Sequence, residues 1–252
     1  MTATTGAAPR TARLRAQAGF EVRAVLRNGE QLMVTLLLPA LLLVGLVRTD
    51  VVSLTTDGAT TVDFVTPGVL ALAVLGASFT SQAIATAFDR RNGVLRMLAT
   101  TPLGRRGLLA GKVLGVLGVE LVQVVVLGAV ALWLGWSPDP AGIATAVLAL
   151  VLGTAAFTAL ALVVAGTLRP EGVLALANIL LVVLVVAGGV IVPADQLPGV
   201  AADLAQLLPS AALGDALRAA LTHGAFPVGE LTLLTGWAAA LWALATRVFR
   251  WS

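Results

Sequence analysis

The sequence predicts an all-α integral membrane protein with six transmembrane helices, and three observations carry that reading. Of the 252 residues 58% are hydrophobic and only 12% charged, with a mean hydropathy of +0.98, too little polar surface to cover a soluble globule. Six apolar blocks approach the roughly 20 residues that a helix needs to cross about 30 Å of hydrocarbon. When those blocks are threaded alternately, nearly all Lys and Arg residues gather on one side. Cysteine is absent, which excludes a disulfide framework, a thiolate metal site and a thiol nucleophile.

Residues 1–30 form a first part. Met1–Pro9 is small and polar and is expected to lack structure. From Thr11 to Arg27, Leu14, Ala18, Val22 and Val25 recur at helical spacing among Arg13, Arg15, Glu21, Arg23 and Arg27, the pattern of an amphipathic helix lying in the headgroup plane. A charged tail that only fixes topology is the other reading of the same residues. No cleavage site precedes the first apolar run, so a signal peptide is not expected.

Residues 31–252 read as one six-span domain. Span one is Gln31–Val47, with a kink expected at Pro39; span two starts at Pro67, capped by Thr66, and ends at Phe88. Span three is Leu114–Trp136, closed by the turn Ser137-Pro138-Asp139-Pro140. Span four is Ala141–Leu168, and Arg169-Pro170-Glu171 leads tightly into span five, Val173–Val192. Intermediate polarity follows to Phe226, and span six is Val228–Thr246. With a cytosolic N-terminus, every Lys and Arg except Arg48 and Arg218 faces the cytosol, so both termini lie inside and the number of spans is even.

The longest polar interruption is Phe88–Lys112, which carries Arg90, Arg91, Arg96, Arg105, Arg106 and Lys112. Asn92-Gly93 breaks span two, Val94–Thr100 has room for about two helical turns, and Thr101-Pro102 stops them. Leu95 and Leu98 then share a face with Val94 and Met97 beside them, an apolar ridge fit for a groove on a partner, or for the bilayer interface. One ionisable residue falls inside a span. Glu120 lies about 12 Å beyond Lys112 at helical rise, with Gln123 on the same face. A carboxylate there costs at least about 2.5 kcal/mol, so it is expected to face the bundle interior or to be protonated. A contact to a cationic substrate, a gating hydrogen bond and a structural bond to a neighbouring span all fit.

Catalysis is not expected of this chain. Gly107-Leu108-Leu109-Ala110-Gly111-Lys112-Val113 has the wrong glycine spacing for a phosphate loop and no Ser or Thr after its lysine. The single histidine, His223, has no nucleophilic serine in a suitable motif. No catalytic residue, no metal ligand set and no nucleic-acid partner is expected.

Phe88-Asp89-Arg90-Arg91-Asn92-Gly93-Val94-Leu95-Arg96-Met97-Leu98, with Thr101-Pro102-Leu103 and Gly111-Lys112, resembles the intracellular loop of type-2 ABC transporter permeases, the ABC-2 family. Gly188-Gly189-Val190, Pro193, Leu197-Pro198, Leu208-Pro209 and Leu217-Arg218 are similar to that family's segment between spans five and six. The family usually has acidic residues at the positions of Arg91 and Arg96 and Thr at that of Val94. The resemblance implies a permease subunit that dimerises, with itself or with a second permease, and couples to ATP-binding subunits that hold ATP and magnesium. It implies a coupling helix between spans two and three, with Arg90, Arg91, Asn92, Gly93, Leu95, Arg96, Leu98, Thr101, Pro102 and Leu103 at the contact. It also implies that the N-terminal helix meets the ATPase and that short re-entrant helices holding Pro193, Pro198, Pro209, Asp215 and Arg218 shield the outer mouth. From the residues, Leu213, Leu217, Ala220 and Leu221 form an apolar stripe and Asp215 and Arg218 are spaced to pair.

An export function in the plasma membrane follows from that resemblance. With no Tyr and 5% aromatic residues the chain offers little to stack on sugars, so an apolar or amphipathic small molecule (a drug, an antibiotic or a lipid) is the expected cargo. An ion-coupled secondary carrier and a membrane scaffold or immunity protein are the alternatives; a carrier is expected to show more ionisable sites at mid-membrane.

Overall fold

The computed structural model describes residues 8–49, 60–102, 104–190 and 200–249, and every regular element among them is helical. In order these are α1 (Arg10–Leu26), α2 (Gly29–Leu32), a π-helical turn Met33–Leu37, α3 (Leu38–Arg48), α4 (Thr61–Val74), a second π-turn Leu75–Ser81, α5 (Gln82–Arg91) and α6 (Val94–Ala99). Then come α7 (Gly104–Trp133), a 3-10 turn Pro140–Gly142, α8 (Ile143–Thr167), α9 (Pro170–Val186), α10 (Val200–Gln206), α11 (Pro209–His223) and α12 (Val228–Val248). Among the described residues four helices are long and apolar enough to cross a membrane: Thr61–Arg91, Ala110–Trp133, Pro140–Thr167 and Val228–Val248; Met33–Arg48 and Pro170–Val186 are shorter apolar helices.

Several boundaries differ from the sequence reading. The helix expected as span two begins at Thr61, ahead of the expected Pro67, because Thr60 and Asp63 cap it reciprocally: the Thr60 hydroxyl accepts from the Asp63 amide at 3.3 Å and donates to the Asp63 carboxylate at 2.5 Å. Pro67 therefore lies inside the helix, and the Thr66 hydroxyl donates to the Val62 carbonyl instead of capping. The fifth apolar helix ends at Val186, short of Val192, where Gly188 and Gly189 (φ +60°) turn the chain. The helix expected as span three runs from Gly104 to Trp133, not from Leu114 to Trp136.

Both internal prolines leave a carbonyl one turn back without its usual donor, and another element supplies one. Pro39 follows the first π-turn, and Gln123 Nε2 of α7 donates to the Thr35 carbonyl at 2.8 Å. Pro67 frees the Asp63 carbonyl, which accepts from the Thr222 hydroxyl of α11 at 3.4 Å. The distortion in the first apolar helix is thus a widened turn ahead of Pro39.

α8 is the centre of the bundle. Its Ala-, Gly- and Thr-rich faces pack on α4, α5, α11 and α12, with Phe79, Phe157, Leu213, Leu217 and Leu234 buried around it. α11 runs antiparallel beside α8: Leu213 lies against Gly153, and the Ala220 backbone lies where a Cβ on Gly142 would stand, 1.7 Å from its carbonyl oxygen. α11 therefore starts near the middle of α8 and ends at its first turn. That opposite end is joined by Ser137 N donating to Asp63 Oδ1 at 2.9 Å and Asp139 N donating to the Leu221 carbonyl at 2.8 Å. The other, arginine-rich end collects α1, the α5–α6–α7 junction, the α8–α9 connection and the last turn of α12, where Phe249 covers Gly166.

Candidate functional site

The arginine-rich end is built around α6. α5 closes with Asn92 N on the Phe88 carbonyl at 2.9 Å and Gly93 N on the Arg90 carbonyl at 3.2 Å, and Gly93 at φ +74° reverses the chain into α6, as the Asn92-Gly93 pair predicted. The Thr100 and Thr101 hydroxyls close the far end on the carbonyls of Met97 and Leu98, at 2.7 and 2.6 Å. Leu103 lies outside the described residues.

The two leucines of the expected ridge differ in burial. Leu95 is 1% exposed and Leu98 half-buried, because α6 packs back on α5 and α7 and offers its apolar face to the nearest apolar surface. The outward tip is Met97, 63% exposed, with Arg96 and Thr100 beside it.

Ties run from the base of this knob to its neighbours. Arg90 donates to the Leu168 carbonyl, and Arg91 pairs with Glu171 at 2.8 Å while stacking 4.7 Å from the Phe88 ring centroid. Both arginines thus hold the α8–α9 connection. Lys112, 2% exposed, pairs with Asp89 at 2.9 Å and with Glu21 at 3.5 Å, joining α7 to α5 and α1. Arg13 of α1 donates to the Pro102 carbonyl just past α6. The sequence reading assigned no role to Lys112, Asp89, Glu21 or Arg13.

α1 packs lengthwise along α7. Gly111, Gly115 and Gly118 open a groove: a Cβ at each would stand 2.5–2.6 Å from Gln17, Glu21 and Val22 respectively. Small residues one turn apart let two helix backbones approach closely. That spacing was the signal available in the sequence. The outer face of α1 leaves Arg15, Phe20, Arg23 and Arg27 exposed.

Inside the bundle, Glu120 (4% exposed) accepts from the Thr154 hydroxyl of α8 at 2.5 Å, and Gln123, equally enclosed, holds Thr35. Each faces the interior, as expected of polar groups within an apolar helix. At the opposite end, Asp215 and Arg218 pair at 2.7 Å. Arg218 is buried rather than outward-facing: it donates to the carbonyls of Gly189 and Val190, both at 3.0 Å, and lies 5.6 Å from the Phe64 ring centroid. Pro209 occupies the first turn of α11, whereas Pro193 and Pro198 fall outside the described residues. Among the described residues no group of acidic or histidine side chains could hold a metal ion.

Long apolar helices around a shared core, with charge and arginine concentrated at one end, define a multi-pass membrane protein. The family model of the ABC-2 type transporter matches residues 15–222, most of the chain, and the protein belongs to that family as a transmembrane permease component. The family implies an ATP-binding partner subunit. No curated protein matches the chain.

Proposed function

We propose that this permease is the membrane part of an ATP-driven exporter in the plasma membrane, with α6 as the helix through which a separate ATPase moves it. The arginine-rich end is cytosolic, both termini lie there, and the shorter helices Met33–Arg48 and Pro170–Val186 complete six spans with the four long ones. The observation that carries this reading is α6 itself: an exposed Met97 tip whose base is tied to α1, α7 and the α8–α9 connection. A push on the tip is shared among four elements by charge-assisted hydrogen bonds.

The pathway runs through a dimer, with itself or with a second permease, and α10 and α11 form the re-entrant cover of its outer mouth. ATP and magnesium bind the partner. An apolar or amphipathic small molecule is the cargo, in keeping with a surface poor in aromatic residues. Met97→Asp tests the reading: the variant is expected to keep its helical content and its melting curve, yet to lose co-purification with the ATPase subunit and its cargo-stimulated hydrolysis. Full ATPase association by Met97→Asp and by Arg96→Glu refutes α6 as the docking helix.

A further inference from the structure

Among the buried polar atoms that no partner satisfies, five belong to α5, α7 and α8. Gln82, Thr86 and Asp89 recur at helical spacing along α5, and Lys112, Val116, Glu120 and Gln123 do so along α7. The Asp89–Lys112 pair links the two rows at one end, and further in Gln82 shares a cavity wall with Val116 and Val119. α8 adds Thr154, on Glu120, and Thr158 one turn nearer the arginine-rich end. Along this seam Thr86 Oγ1, Gln82 Oε1, Thr158 Oγ1, Glu120 Oε1 and Gln123 Oε1 are buried without a hydrogen-bond partner.

A hydroxyl in a helix can return to the carbonyl four residues back, as Ser78 does to Val74 at 2.6 Å; Thr86 and Thr158 do not. Unmet buried polar groups are costly and call for an unseen donor or acceptor. The cavity beside Gln82, walled also by Gln31, Thr35 and Ser81, measures about 10 Å³, close to the space that one water occupies. Four polar residues around such a space supply the partners that a buried water requires.

We propose that this seam is a narrow half-channel: a file of water molecules running from the Lys112–Asp89 pair to Glu120 and Gln123, which opens the Glu120 carboxyl to protons and small cations from the arginine-rich end. Asp89 and Glu21 with Lys112 are the charged groups at its mouth, and Glu120 is the ionisable one within it. α8 presents only the neutral Thr154 and Thr158, and the first π-turn only Thr35. An acid at the inner end of a hydrated dead end is placed to take up a cation or a proton as the helices move. This goes beyond the exporter reading and requires no ATPase to examine.

The chain has no cysteine, so single thiols can be placed along the seam. Thr86→Cys, Gln82→Cys, Thr158→Cys and Glu120→Cys are compared with Ala83→Cys and Leu127→Cys, which sit in the dry core. Each purified permease in nanodiscs is exposed to Ag⁺, and the thiols left are counted with a maleimide dye after denaturation. Reaction of the seam thiols about tenfold or more faster than the core thiols is the expected result, since a thiol reacts with the ion only where water reaches it. Seam thiols no faster than Ala83→Cys and Leu127→Cys overturn the half-channel; should Glu120→Cys fail to fold, Gln123→Cys reports the same depth.

Discussion

Arg218 sits in the wall of α11 with its guanidinium on the carbonyls of Gly189 and Val190, on the Asp215 carboxylate and over the Phe64 ring. One side chain thereby satisfies the turn that ends α9 and holds α4 beside α11. Removing it leaves two carbonyls and a carboxylate without that donor. Arg218→Leu is expected to lower stability by about 2–3 kcal/mol, the loss of charge-assisted hydrogen bonds to two buried carbonyls and to a carboxylate that water still reaches. Thermal unfolding in detergent, followed by tryptophan fluorescence, measures the loss. Arg218→Lys is expected to recover only part of it, because a single ammonium does not reproduce the planar fork of donors. The i, i+3 pairing with Asp215 was legible in the sequence. The burial was not, because the carbonyls that Arg218 satisfies come from 28 and 29 residues away.

Local chemistry also fixed some element ends in advance: the Asn92-Gly93 reversal and the Thr101-Pro102 stop are each set by backbone preferences that need no tertiary partner. Faces were harder to read. Leu95 and Leu98 share a side of α6, but which side meets protein depends on α5 and α7 folding back beside it. Pro67 imitated a helix start, while the reciprocal cap at Thr60 and Asp63 lay in a stretch rich in turn-forming residues. The glycine groove of α7 was equally visible as a spacing, and α1 is the element that fills it. Gly115→Leu is expected to dislodge α1, since even a Cβ there stands 2.5 Å from that of Glu21. Limited trypsin digestion is the measure: cleavage after Arg23 and Arg27 should accelerate several-fold while circular dichroism shows the other helices intact. Unchanged cleavage would mean that α1 is held by Arg13 and the Lys112 ion pairs alone.

For the whole molecule, the asymmetry of its two ends makes a sidedness prediction. Thr100 lies at the tip beside α6, and Ser137 at the opposite end beside Asp63. In cells, a membrane-impermeant maleimide applied from outside is expected to label Ser137→Cys and to spare Thr100→Cys, which reacts only in inverted vesicles. The reverse pattern would invert the orientation and place α6 beyond the reach of any cytosolic ATPase. Such labelling is free of background, because the native chain carries no thiol.

α7 is a single unbroken rod of 30 residues, about 45 Å long, that begins just after α6 and ends at the exposed Trp133, beneath the Arg48 guanidinium. It contains no proline and no π-turn at which to flex. Rocking it by about ten degrees at the arginine-rich end sweeps the far tip by about 8 Å, so a small stroke becomes a wide swing without any helix having to bend.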